Sequence, residues 1–71
     1  MKKTIYYTVD YRNIENGFRD VSVYYIENNI PTLWFELHDI KCNGGSFYSD
    51  EEEIQEYLDD NGYGEYEIVM L

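Results

Sequence analysis

The chain has one cysteine, Cys42, and one proline, Pro31. A single thiol cannot close an internal disulfide, which excludes a disulfide-framed scaffold and makes a reducing, cytosolic compartment the default. Pro31 cannot donate a ladder hydrogen bond, so it marks a strand end or an edge. No apolar run approaches the roughly 20 residues that a membrane helix needs. Met1-Lys2-Lys3-Thr4 is followed by alternation from Ile5 to Tyr11, where a signal peptide would carry an unbroken apolar stretch. The expected location is therefore the cytoplasm, with no membrane contact. Bases are also scarce: five Lys and Arg stand against fifteen Asp and Glu.

What is present has to build a core in 71 residues, close to the lower limit for one unaided hydrophobic core. A single domain spanning 1–71 is expected. Nine Tyr, three Phe and one Trp supply the large side chains it needs.

The acids are not evenly spread. Residues 1–49 hold six acids and five bases, a net of −1, whereas residues 50–71 hold nine acids and no base. Nearly all of the net −10 lies in the last third.

Ile5, Tyr7, Val9 and Tyr11 alternate with Thr4, Tyr6, Thr8 and Asp10, the period of a half-buried strand. Asn16-Gly17 signals a turn. A second strand from about Phe18 to Ile26 places Val21, Val23 and Tyr25 on one face, and Asn28-Asn29 forms a tight turn. A third strand from about Ile30 to His38 puts Leu33, Phe35 and Leu37 inward and Trp34, Glu36 and His38 outward. Asp39 to Tyr48, with Asn43-Gly44-Gly45, reads as a loop. Ser49-Asp50-Glu51-Glu52 is an S-x-x-E capping box opening a short helix whose apolar stripe is Ile54, Tyr57 and Leu58. Gly62 is placed to end it in a left-handed cap, and a last strand follows from about Glu65 to Leu71. The expected fold class is α+β: a four-stranded, mainly antiparallel sheet with one helix packed on one face, in the order β-β-β-α-β.

His38, Asp39 and Cys42 are close in sequence, but no oxyanion hole or substrate cleft accompanies them, and no enzyme is expected. One His and one Cys do not make a zinc site. Asp59-Asp60-Asn61-Gly62-Tyr63-Gly64 imitates a calcium loop, but Met70 stands at position twelve, where a bidentate Glu is required. A helix C-cap explains these residues better, so neither metal nor cofactor is expected.

Two surfaces remain as candidates. The acidic one comprises Asp50, Glu52, Glu53, Glu56, Asp59, Asp60, Glu65 and Glu67. A solvated helix face usually carries compensating Lys or Arg at i+4, and here there are none. Asp59 and Asp60 oppose the macrodipole, and like charges about 6 Å apart in water cost about 0.7 kcal/mol per pair before screening. A cluster that works against folding suits a protein partner with a basic, nucleic-acid-binding surface, while the same charge excludes direct nucleic-acid binding. The other candidate is the sheet face away from the helix, where Tyr6, Tyr24 and Trp34, with Ile26, Val69 and Leu71, suggest a protein contact or a homodimer.

Leu33-Trp34-Phe35-Glu36-Leu37, the acidic helix Asp50 to Asp60 and Tyr66-Glu67-Ile68 resemble the small α/β domains of ArdA-type antirestriction proteins, over about half the chain. More generally the chain resembles short, acidic, tyrosine-rich phage and mobile-element proteins, including anti-CRISPR and DNA-mimic inhibitors. That resemblance implies a non-catalytic inhibitor in the host cytoplasm that blocks the nucleic-acid site of a defence complex. The alternative is a small structural or regulatory module that homodimerises through its aromatic sheet face, with the acids serving solubility.

Overall fold

The computed structural model describes residues 3–41 and 49–71. Three strands, β1 (Lys3–Asp10), β2 (Phe18–Glu27) and β3 (Ile30–Lys41), precede one helix, α1 (Asp50–Asp60), and a last strand, β4 (Tyr66–Met70). The protein is α+β, as its alternating and helical periodicities predict. The loop expected from Asp39 begins later, because β3 runs on to Lys41. Cys42 and Asn43-Gly44-Gly45 fall outside the described residues.

Local chemistry accounts for the turns. A single 3-10 turn at Ile14–Asn16 ends on Gly17 at φ 83°, whose amide donates to the Ile14 carbonyl. Asn28 and Asn29 both adopt positive φ, 52° and 64°, as a two-residue hairpin matched to strand twist requires. Ser49 caps α1 with a complete capping box: its hydroxyl accepts from the Glu52 amide, and the Glu52 carboxylate accepts from the Ser49 amide. At the other end Gly62 takes φ 77°; its amide donates to the Asp59 carbonyl and the Tyr63 amide to the Leu58 carbonyl. This pair of bonds is a Schellman cap.

The sheet order is β3-β2-β1-β4. β1, β2 and β3 form an antiparallel meander, and β4 lies parallel to β1 from Lys3↔Tyr66 to Tyr7↔Met70. The core on the helix side is Ile5, Tyr7, Val21, Val23, Ile40, Ile54 and Leu58.

Two register shifts in the β2–β3 ladder change what β3 presents. Between Arg19↔Ile40 and Val21↔Leu37 one extra residue is accommodated, with Asp39 at φ 58° and its amide bonded to the Asp20 carboxylate at 3.0 Å. That amide holds the Asp20 carboxyl below its ordinary range. The bulge turns Ile40, three residues after Leu37, into the core. Between Val23↔Phe35 and Tyr24↔Leu33 the extra residue is Trp34. A bulge sets two successive side chains of one strand against a single partner residue. Trp34 and Phe35 consequently both pack on the helix side, whereas Leu33 is 49% exposed. The sequence expectation of Leu33 inward and Trp34 outward is thereby corrected. Tyr11, in phase with Ile5, Tyr7 and Val9 in the alternation, lies beyond the end of β1 and is 53% exposed.

Candidate partner-binding surfaces

α1 is anchored from below by Ile54 and Leu58, both fully buried, and by Tyr57, whose ring stacks on Phe35 at 4.2 Å. With 3.6 residues per turn, those anchors direct Glu52, Glu56, Asp59 and Asp60 to the opposite side. All four are exposed, and with Gln55 they line a shallow depression of about 360 Å3. Among the described residues no base is paired with Glu53, Glu56, Asp59 or Asp60.

The eight acids expected to form one face are divided by the fold. Asp50 turns inward: its carboxylate accepts from Arg19 Nε at 2.6 Å, with 18% of its side chain exposed. Glu67 pairs with Thr4 in the β1–β4 ladder and alternates with Tyr66 and Ile68, which pack on the core. Its side chain thus belongs to the opposite face of the sheet. Both are removed from the acidic face. Glu65 is exposed in the connection between α1 and β4.

Two residues that the sequence reading passed over hold this surface in place. Arg19 is 5% exposed and also donates to the Lys41 carbonyl at 3.0 Å, tying the end of β3 and the start of α1 to β2. Its parity with Val21 and Val23 was the available signal. Gln55 Nε2 donates to the Asp59 carboxylate at 2.9 Å and the Gly64 carbonyl at 2.8 Å, while its Oε1 accepts from the Tyr66 amide at 3.4 Å. It is the one uncharged polar residue between Asp50 and Asp60, and a Glu there could not donate. Nearby, burial pushes the Tyr7 phenol up to about 12, helped by its hydrogen bond to Glu51 and by that carboxylate's charge.

On the open sheet face, Leu33, Tyr24, Tyr6 and Val69 are successive ladder partners. They form one apolar row across all four strands, with exposed Ile26 beyond Tyr24 and exposed Leu71 after β4. Tyr6 and Tyr24 lie where the sequence puts them. Trp34 does not join them; it meets Phe35, Tyr63 and Tyr66 at 5.1, 5.1 and 5.7 Å between ring centres on the helix side.

His38 Nδ1 lies 3.4 Å from the Asp20 carboxylate on an exposed strand position. Among the described residues no group of three or more His, Cys, Asp or Glu is arranged to hold a metal ion. No helix among them is long and apolar enough to cross a membrane. No family model, curated protein or solved structure matches the chain.

Proposed function

We propose that this protein is a non-catalytic inhibitor, of phage or mobile-element origin, whose acidic helix face blocks a nucleic-acid-binding surface of a host defence complex. The observation that carries this reading is the spacing of the outward carboxylates. Glu52, Glu56, Asp59 and Asp60 share one exposed side of α1. At about 1.5 Å rise per residue they span about 12 Å, one charge per about 4 Å. A single DNA strand offers one phosphate per about 3.4 Å of axis. A basic groove that accepts one array is electrostatically prepared for the other.

A second reading, a module that homodimerises through its open sheet face, is favoured by the row Leu33, Tyr24, Tyr6 and Val69, which α1 does not cover. One set of measurements separates the two. Purified restriction and CRISPR complexes are offered nucleic acid in competition with this protein at several salt concentrations. Mimicry requires competition that weakens steeply with salt and is lost roughly tenfold or more on Glu53→Lys, Glu56→Lys and Asp60→Lys together. Glu52 is spared because its carboxylate closes the capping box. Undiminished competition by the triple variant sinks the mimicry reading. Loss on Tyr24→Ala with a shift from dimer to monomer in sedimentation supports the module instead.

A further inference from the structure

Where β1 begins, the structure holds a cleft of about 520 Å3, a size ordinary for ligand pockets. Its walls are Tyr25, Trp34 and Tyr66, with buried Ile5 among its lining and exposed Lys3 at the strand start. The β3 bulge creates it by bringing Trp34 to the helix side, where its ring stands edge-on to Phe35 and Tyr63 and tilted to Tyr66. Electron-rich rings lining an accessible hollow attract either an apolar group or a cation. Charge decides between them. Beside the lining, Glu27 follows Ile26 on β2 and Glu65 precedes Tyr66, whereas Lys3 is the one base among the described lining residues. The whole chain carries −10, which raises the local concentration of cations. Among side-chain cations, guanidinium is planar, weakly hydrated and able to stack on an aromatic face, whereas ammonium is compact and strongly hydrated.

We propose that this cleft takes an arginine side chain of the protein partner, separately from the acidic face of α1. The inference rests on the reading of that partner as basic, and it adds a fixed anchor to a diffuse electrostatic contact. Electrostatics speeds encounter and orients the approach, while a stacked arginine slows departure.

Trp34 is the only tryptophan, so its fluorescence reports the cleft directly. The probe is a four-residue arginine peptide, compared with the same peptide in citrulline, which keeps the shape and loses the charge. The arginine peptide should change Trp34 emission saturably and shift the ring resonances of Tyr25 and Tyr66. The citrulline peptide should not. Tyr25→Leu, with the fold checked by circular dichroism, should weaken the response about fivefold. In the Glu53→Lys, Glu56→Lys, Asp60→Lys variant the response should survive. If it disappears there, the peptide was bound by the helix face and the cleft is not an arginine site. Equal binding of citrulline, or tighter binding of an aromatic carboxylate held by Lys3, also overturns the proposal. A persistent arginine response alongside a triple variant that still competes for the target would sink the mimicry reading and leave the cleft standing.

Discussion

At the scale of single residues, burying a guanidinium to 5% exposure is offset in part by Asp50, which meets it at 2.6 Å, and by the Lys41 carbonyl, which accepts a bond from it. Removing one partner of such a pair leaves the other charge buried without its counterion. Asp50→Ala should therefore cost on the order of 3 kcal/mol in urea unfolding. Asp50→Ala combined with Arg19→Met should recover much of that loss, since a well-packed apolar pair can replace a buried ion pair. Tyr7 gives a pH dependence with a definite sign. Its folded pKa of about 12 lies above the ordinary phenol value of 10.0. The fold favours the protonated phenol, so this contribution is complete below pH 10 and is lost as pH rises from 10 toward 12. Tyr7→Phe should flatten the alkaline limb of stability, measured by denaturant unfolding from neutral pH to pH 12. An unchanged slope would show that another tyrosine or lysine governs that limb.

At the scale of elements, α1 is held by what lies at its ends and beneath it more than by its own surface, which is almost wholly acidic. The Schellman cap turns on Gly62, at φ 77° with nothing within 4 Å of where a Cβ would stand. Gly62→Ala consequently meets no clash, and its cost is the left-handed conformation alone, about 1–2 kcal/mol. Thermal unfolding measures it; a neutral result would mean the cap rearranges freely. β3 is the element in which strict alternation fails. Its two bulges exchange Leu33 for Trp34 and bring Ile40 inward. They also break up the regularity of an edge strand, a feature that discourages pairing with other chains.

At the scale of the whole molecule, charge and topology act against each other. Nine acids and no base occupy residues 50–71, yet the fold places only part of them together. Repulsion along α1 should make the wild-type protein more stable as salt rises, because screening weakens it. The Glu53→Lys, Glu56→Lys, Asp60→Lys variant should start more stable at low salt and respond less to added salt. Urea midpoints at low and high ionic strength test both statements. Equal salt responses would show that the helix acids are too far apart, or too well solvated, to repel measurably.

Much of this architecture is local and was therefore legible in the chain. The S-x-x-E box at Ser49, the Asn28-Asn29 hairpin, Gly62 past the helix end and the alternation of β1 each depend on a few neighbouring residues. The α+β class follows from those periods, and so does the placing of Tyr6 and Tyr24 on the open face. What only the tertiary structure decided depends on pairing between distant segments. A bulge is a mismatch between two strands, and nothing within β3 alone shows that Trp34 is the extra residue opposite β2. The parallel direction of β4 is set by the return of the chain from β3 through α1 to the far edge of the sheet. Asp50 reads as one acid among nine until Arg19, 31 residues earlier, draws it out of the acidic face. Composition fixes how much charge the molecule carries; register and long-range pairing fix which of those charges a partner can meet.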